Sequence, residues 1–432
     1  MRLSKEFIGL GMIIASLIFS STLPDIYKGI VILIVVGCLW FFELLPLPVT
    51  SLAIPIMAVF LGIFNLKEAL TYFAHPIIFL FLGGFMLAQA LKNHNLDKFI
   101  AYKLLNYGKD FKTTCFLMFL SAYFLSMWIS NTSATLILLP IALGLLHKKT
   151  DKLRDFLLLG IAYSASIGGI ATIIGSPPNA IASSYLDYGF FSWFKAGFPI
   201  SLLLFLISTL TLYIYFKNWI PKEDIAIQAR VELSTDAYKL LAIFLLIALL
   251  WIISDYLSEI FNVQYFDSVI AIFAIILLFV FNLVKVDDFK KIDWGTLILF
   301  GGALCLGGVI VKSGANTFLS EKLIAILGNL SPIAVLFAVI TITIILTNFI
   351  SNTGLTGILA PILFGASLGI PKEILILAIG ISASCSFILP VGTPPNAIVY
   401  GEGVKKEEMM KVGAVLSILS ATVITLYFLL YI

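Results

Sequence analysis

Long apolar runs follow one another along most of this chain of 432 residues. Many are about 17 to 25 residues long, the length a helix needs to cross the hydrocarbon core of a bilayer. A spanning segment must pair its own backbone groups, and the runs lack the alternation of barrel strands. Hydrophobic residues make up 60% of the chain and charged residues only 12%. The sequence therefore predicts an all-α polytopic membrane protein.

Eleven of the runs are predicted to be membrane spans. They lie near 7–23, 27–45, 49–64, 76–91, 156–190, 194–216, 239–254, 266–284, 294–311, 373–403 and 410–431. The first run ends at Pro24 without a small-residue cleavage pattern, which predicts a retained helix and not a signal peptide. Two further stretches, 113–146 and 332–367, are too long for one crossing and too short for two. Each is predicted to be a re-entrant hairpin that enters and leaves on the same side.

The positive-inside rule predicts the orientation in the cell membrane. With the N-terminus in the cytoplasm, 21 of the 27 Lys and Arg residues fall in cytoplasmic segments and six in external ones. The first hairpin then enters from the cytoplasm, the second enters from outside, and the C-terminus is external. The formal net charge of +3 is small and lies in loops. It bears on orientation and gives no reason to expect nucleic-acid binding.

Two motifs occur twice in the chain. Residues 129–140 read ISNTSATLILLP and residues 350–361 read ISNTGLTGILAP, which is identity at eight of twelve positions. Residues 175–181 read GSPPNAI and residues 392–398 read GTPPNAI. In both halves the Ser-Asn-Thr (SNT) motif comes first and the Pro-Pro-Asn motif second.

The order of the motifs predicts an internal repeat. Its two copies cover 76–216 and 294–432, and each begins with a helix that carries a Gly-Gly pair. Because the two hairpins enter from opposite sides, the repeat is predicted to be inverted. Residues 1–75 are predicted to form scaffold helices, and 217–293 a linker with further scaffold helices.

The paired prolines, Pro177–Pro178 and Pro394–Pro395, are predicted to break their helices, because each removes a backbone donor and clashes with the preceding turn. A break leaves backbone groups unpaired inside the membrane, which is costly unless a ligand pairs with them. Unwound carbonyls with Ser, Thr and Asn oxygens suit a small hard cation such as sodium. Half-helix N-termini suit an anion. One site can therefore hold both.

The hairpin stretches contain no Asp, Glu, Lys or Arg between Thr113 and Leu146 or between Pro332 and Gly369. A carrier of cations would place a carboxylate there, and a proton relay would use Asp, Glu or His. Neutral oxygens favour sodium coupling over proton coupling. The sequence also has no phosphate-binding loop, which favours an ion gradient over ATP as the energy source.

The paired SNT hairpins and paired G-[ST]-P-P-N breaks resemble the divalent anion/sodium symporter family, the carriers of dicarboxylates, citrate and sulfate. The segment WFFELLPLPVTSLAIP, Trp40–Pro55, is also similar to the early part of that family. The resemblance covers nearly the whole chain. It implies symport of a divalent anion, such as the C4-dicarboxylate succinate, with sodium as coupling ion and no organic cofactor. It also implies a homodimer in which a transport domain moves against a static scaffold domain in an elevator motion.

The resemblance implies one sodium ion at each hairpin tip. The first would be held by Ser126, Ser130 and Asn131 with backbone near Gly175, and the second by Thr347 and Asn352 with backbone near Ile350 and Gly392. Ser126 and Thr347 each precede the SNT serine by four residues, so they lie one helical turn below the tip. The substrate would be held by Asn131, Thr132, Asn352 and Thr353, with Ser176 and Thr393 as selectivity positions.

Other interpretations of these features are open. Taken singly, an SNT or a Pro-Pro is a polar turn or a kink, and only the repetition favours binding. Gly83–Gly84 and Gly301–Gly302 are predicted to be close-packing positions, and Glu43 a structural or interface residue. The GASLG at 365–369 matches a hydrolase motif but has no suitable context or His partner, so an enzyme is not expected. The alternative function is sodium-independent anion exchange, or transport of another anion such as sulfate, citrate or arsenite.

Overall fold

The computed structural model describes residues 4–146, 150–222 and 232–430, which form 21 α-helices and no strand in these ranges. The first half forms α1 Lys5–Ser20, α2 Asp25–Phe41, α3 Leu47–Phe60, α4 Leu66–Thr71, α5 Pro76–Asn93, α6 Leu96–Leu105, α7 Phe111–Ser126, α8 Asn131–Leu145, α9 Asp151–Gly168, α10 Pro177–Leu186 and α11 Phe190–Phe216. The second half forms α12 Thr235–Ile252, α13 Ser254–Phe261, α14 Phe266–Val280, α15 Trp294–Lys312, α16 Ala315–Leu327, α17 Pro332–Leu346, α18 Asn352–Phe364, α19 Lys372–Ser382, α20 Pro394–Gly401 and α21 Lys406–Leu429. The all-α class is confirmed.

Five helical segments of the described chain are long and apolar enough to cross a membrane alone: Leu66–Asn93, Phe190–Trp219, Thr235–Ile252, Trp294–Lys312 and Lys406–Leu429. Two bent pairs raise the number to seven if each counts as one span. These are α13 with α14, bent by 104°, and α16 with α17, bent by 114°. Other predicted spans are shorter, such as α3 with 14 residues, or broken, such as α9 with α10. The number of eleven spans therefore stays a prediction.

Four short helices, α4, α6, α13 and α16, were not predicted from the sequence. Helix α6 shows why, because its ten residues include Asp97, Lys98 and Lys103 and so resemble a polar loop. Helices α6 and α16 each follow the Gly-Gly helix of their half and precede the hairpin. Helices α5 to α11 thus recur in the same order as α15 to α21, although the opposite orientation of the two halves stays a prediction.

The two halves interlock through their Gly-Gly helices. Helix α5 packs along α14 of the second half, and α15 packs along α3 of the first. A Cβ on Gly83 would lie 2.6 Å from the carbonyl oxygen of Ala271, and one on Gly302 would lie 2.7 Å from the Cα of Ser51. Glycine therefore lets the helix backbones touch at both crossings. The predicted close-packing role of these glycines is confirmed.

Ion pairs join helix ends that are predicted to lie on the same side of the membrane. Lys152 pairs with Glu408 at 2.6 Å and Lys405 pairs with Asp151 at 3.0 Å, all from segments predicted to be cytoplasmic. The hydrogen bond from Lys405 also holds the pKa of Asp151 below its usual range. Lys312, from the predicted external set, pairs with Glu68 at 2.6 Å. Four of the Lys and Arg residues used to predict the orientation lie outside the described residues: Arg2, Lys148, Lys149 and Arg230.

The crossing of α5 and α14 gives a test of the packing. Replacing Gly83→Ala should destabilise the protein by about 1–3 kcal/mol, because the new Cβ overlaps a backbone carbonyl that cannot rotate away. Thermal unfolding in detergent measures the effect. Gly144→Ala is the matched control, since a Cβ there would have no contact within 4 Å among the described residues apart from its own helix backbone and chain neighbours. Equal stability of the two variants would contradict the close crossing.

Candidate functional site

Each SNT motif lies at the start of the second helix of a helical hairpin. Helix α7 ends at Ser126 and α8 begins at Asn131, while α17 ends at Leu346 and α18 begins at Asn352. Ser130 caps α8, its Oγ accepting a hydrogen bond from the N–H of Ser133 at 3.3 Å. The tips thus lie at helix N-termini, where backbone N–H groups and the helix dipole favour negative charge.

The second threonine of each SNT repeat forms a hydrogen bond within its own helix. Thr135 Oγ1 donates to the carbonyl of Asn131, and Thr356 Oγ1 donates to the carbonyl of Asn352, both at 2.9 Å. The repetition of this threonine is therefore explained by local structure. It does not call for a ligand.

Both Pro-Pro pairs follow a break in their helix. Helix α9 ends at Gly168 and α10 begins at Pro177, whereas α19 ends at Ser382 and α20 begins at Pro394. The prolines occupy the first positions of the second half-helix, where a missing N–H leaves no helical bond unmade. The unwound backbone therefore lies just before each Pro-Pro pair.

At the first tip, oxygens converge on the carboxamide of Asn131. Its Oδ1 accepts a hydrogen bond of 2.5 Å from Ser126 Oγ. The same carboxamide atom lies 3.3 Å from the carbonyl oxygens of Ala165 and Gly175; with the amide reversed, its NH₂ group would have all three oxygens within hydrogen-bond distance. With the oxygen in that place, four oxygens from hairpin and break face one another. Ser126 and Asn131 are thereby brought to Gly175, as the resemblance implied.

The second tip has the equivalent arrangement. Thr347 Oγ1 lies 2.6 Å from both Asn352 Oδ1 and the carbonyl oxygen of Ala383. A hydroxyl has one proton, so only one of these two contacts can be a hydrogen bond at a time. A cation beside the three oxygens would remove the resulting repulsion. Ile350 and Gly392 line the neighbouring cavity.

Sequence reasoning missed Ala165 and Ala383. Each is the central residue of a Ser-Ala-Ser triplet, at 164–166 and 382–384, just before the break of its half. This third repeated motif was the available signal. Sequence reasoning also missed Asn348, whose Oδ1 accepts from the N–H of Ile388 at 2.9 Å and joins hairpin to break. No repeat signal marked it, because the first half instead joins Thr172 Oγ1 to the carbonyl of Met127 at 2.5 Å.

One cavity of about 790 Å³ joins both tips and both breaks. Its wall includes ten predicted site residues: Ser130, Asn131, Thr132, Gly175, Ser176, Ile350, Asn352, Thr353, Gly392 and Thr393. The remaining two, Ser126 and Thr347, are fully buried below the tips. The two halves meet at this wall, where Ser176 Oγ lies 3.3 Å from Ser384 Oγ. Thr393 caps α20, with Oγ1 accepting from the N–H of Asn396 at 3.2 Å, so its O–H can still donate.

The wall of the cavity also carries charged residues. These are Lys5, Lys92, Lys291 and Asp293, from segments predicted to be cytoplasmic, and Glu43, near the end of a predicted span. Glu43 is an exposed wall residue with a φ of 46°, in the left-handed region that a glycine would adopt more easily. The cavity therefore combines the neutral tips with side chains of both charges.

Comparison with known proteins gives a consistent result. A family model described as "Citrate transporter" matches residues 37–375. An uncharacterized transporter of Methanocaldococcus jannaschii is 92% identical over 431 residues, covering 100% of both chains. A sodium-dependent dicarboxylate transporter of Staphylococcus saprophyticus is 33% identical over 472 aligned positions, covering 97% of this chain and 91% of the relative.

A solved structure has a similar fold. The crystal structure of the Alcanivorax borkumensis YdaH transporter matches with a TM-score of 0.60 over 84% of this chain and 86% of that one. The sequences are 14% identical, so this likeness concerns the fold alone.

The first break gives a test of the site geometry. In Gly175→Ala the new Cβ would lie 2.6 Å from the carbonyl oxygen of Gly169, so the unwound backbone must shift. We expect binding of sodium and anion to fall at least tenfold, a change that the thermal stabilisation of the purified protein by each ligand measures. Gly401→Ala is the control, because a Cβ there would have no contact within 4 Å among the described residues outside its own helix. Unchanged binding in Gly175→Ala would show that this backbone takes no part in the site.

Proposed function

Because the chain belongs to the citrate transporter family, we propose that it couples the transport of a divalent anion to sodium. As a member of this family it is a membrane transporter of small anions and not an enzyme. The favoured substrate is a C4-dicarboxylate such as succinate. The observation that carries the proposal is the meeting of two neutral SNT tips and two helix breaks at one cavity.

Sodium coupling is supported by the two oxygen clusters. Each combines a hairpin hydroxyl, an SNT asparagine and the carbonyl of a Ser-Ala-Ser alanine. In the first cluster, the carbonyl of Gly175 is a further ligand. Carbonyl, amide and hydroxyl oxygens suit a small hard cation, and the hairpins contain no carboxylate to serve a proton relay. A relative that is 33% identical is named as sodium-dependent.

Anion binding is supported by the donors at the same tips. The N-termini of α8 and α18 both lie at the cavity, with Asn131, Thr132, Asn352 and Thr353 in its wall. These groups offer N–H and O–H donors and two positive dipole ends, and none of the four tip residues is a carboxylate. A sodium ion bound below each tip would add charge of the right sign. Occupied sodium sites would therefore raise the affinity for the anion.

An elevator motion is supported by the different surroundings of the two hairpins. A Cβ on Gly357 of α18 would lie 2.9 Å from the Cβ of Ala303 in α15 and 3.6 Å from Trp40 in α2. The equivalent residue of α8, Leu136, is 50% exposed. The second hairpin thus packs against α2 and α15, whereas the equivalent position of the first is half exposed. With the predicted orientation, we propose that this arrangement is inward-open, and that exchanging the surroundings of the two hairpins would open the cavity outward.

The proposal includes the homodimer that the family resemblance implies, and a cell-membrane location with the N-terminus in the cytoplasm. The alternative is sodium-independent exchange, or transport of sulfate, citrate or arsenite by the same architecture. Uptake of labelled succinate into proteoliposomes, with and without an inward sodium gradient, separates these functions. Uptake that ignored sodium but required an internal anion would contradict the symporter.

The asparagines of the two tips provide the sharpest variants. Asn131→Ala and Asn352→Ala should each abolish sodium-driven uptake while the protein stays folded, because alanine supplies no amide oxygen to the cluster at the tip. Labelled uptake measures activity, and thermal unfolding measures folding. Gly144→Ala is the control on the same hairpin, since a Cβ there would have no contact within 4 Å among the described residues outside its own helix and chain neighbours. Normal uptake by either alanine variant would remove that tip from the mechanism.

A cross-link between α15 and α18 tests the elevator motion. Ala303→Cys and Gly357→Cys would place two Cβ atoms 2.9 Å apart, so the helices must separate by about 1 Å to form a disulfide. Oxidation should stop uptake and reduction should restore it, because the disulfide would prevent α18 from moving away from α15. The background replaces the native cysteines, which are Cys38, Cys115, Cys305 and Cys385.

Each single-cysteine variant should remain active under the same oxidant. Full uptake by the cross-linked double variant would mean that the second hairpin does not move against α15.

A further inference from the structure

We propose that Asn179 and Asn396, which end the two Pro-Pro-Asn motifs, are positioning residues that hold the unwound backbone in place beside the two sodium sites. The inference rests on the proposed sodium coupling. Both side chains are fully buried. Neither lines the cavity, so neither is a substrate ligand in this state.

In the first half, Asn179 holds the unwound backbone together. Its Nδ2 group donates to the carbonyl of Gly169 at 2.8 Å and to that of Thr172 at 2.7 Å. These carbonyls belong to the segment between α9 and α10, where the helix no longer supplies partners for them. One side chain thus fixes two points of the break.

In the second half, Asn396 does the same at the equivalent positions. Its Nδ2 group donates to the carbonyl of Ser386 at 3.0 Å and to that of Leu389 at 3.1 Å. Ser386 occupies the place of Gly169, and Leu389 that of Thr172. Two asparagines in two halves therefore fix the same two points of each break, although the bridged residues differ in type.

One fixed point of each half lies beside an oxygen cluster. Gly169 leaves so little room there that a Cβ on it would lie 2.6 Å from Asn131 Oδ1 and 2.9 Å from the carbonyl oxygen of Gly175. In the second half, Ser386 Oγ donates to Asn348 Oδ1 at 3.2 Å, and Asn348 is next in sequence to Thr347. We expect a shift of the backbone at Gly169 or Ser386 to displace the neighbouring ligands. Residues that orient metal ligands change metal affinity about 10–100-fold when they are replaced.

The chemistry of the carboxamide explains the choice of residue. Its NH₂ group supplies two donors to two carbonyls, which a hydroxyl or a carboxylate cannot do. The Oδ1 of each asparagine is buried without a partner among the described residues. Burying an unpartnered oxygen costs free energy, and such an oxygen is present in both halves. The two donors are what the breaks require.

A purely structural brace would act differently from a positioning residue. A brace would stabilise the fold and leave the sodium affinity of the folded protein unchanged. A positioning residue changes the sodium concentration that half-saturates the protein, even where the fold survives. Sodium affinity is therefore the deciding readout, and stability is not.

The test uses the purified full chain and sodium alone as ligand, with potassium keeping the ionic strength constant. Thermal stabilisation is titrated with sodium for the wild type, Asn179→Ala and Asn396→Ala. We expect each variant to raise the half-saturating sodium concentration at least tenfold, with the affinity for succinate restored at saturating sodium. Ser183→Ala is the matched control, since Ser183 is a buried polar residue one turn further along α10. It should titrate like the wild type.

A wild-type titration in Asn179→Ala and Asn396→Ala would overturn the positioning role while leaving sodium coupling intact. If the alanine variants do not fold, Asn179→Gln and Asn396→Gln decide the matter. They keep both donors but place them one methylene further out, so they should also raise the half-saturating concentration, and a wild-type value would again overturn the role. A wild type that sodium does not stabilise would overturn the proposed coupling together with this inference.

Discussion

The cost of an unpaired backbone carbonyl inside a bilayer constrains this structure more than any other interaction. Two helices are broken just before their Pro-Pro pairs, and carbonyls freed by such a break would be costly if they faced hydrocarbon. The chain satisfies them with the carboxamides of Asn179 and Asn396 and with the tips of two hairpins. What stays available at the tips is a set of oxygens for a cation and a set of N–H groups for an anion.

This constraint links the fold to transport. The Gly-Gly helices α5 and α15 each pack against a helix of the other half at backbone contact, which joins the two halves. The two hairpins have different surroundings, because Gly357 of the second packs against α2 and α15 while the equivalent Leu136 of the first is half exposed. The two hairpins are equivalent in sequence but differ in their surroundings. A second arrangement is therefore available, in which each hairpin has the surroundings of the other. Alternating access needs such a pair of states.

The repeated motifs were enough to select, from the sequence, residues that the fold brings to one cavity. Ten of the twelve predicted site residues line one cavity because SNT and Pro-Pro-Asn each occur twice, in the same order. Ala165 and Ala383 were missed because they contribute backbone oxygens, which any residue type can supply. Asn348 was missed because its counterpart, Met127, does the same task with a carbonyl. Helix α6 was missed because its charges outweigh its short apolar face.

We infer that bound sodium raises the affinity of the two tips for the anion. Equilibrium binding of labelled succinate to the purified protein, with sodium titrated against potassium at constant ionic strength, tests this coupling most directly. We expect tight binding in sodium and weak binding in potassium, with a cooperative dependence on sodium, because two ions must occupy the two tips. Equal affinity in sodium and potassium would contradict the coupling.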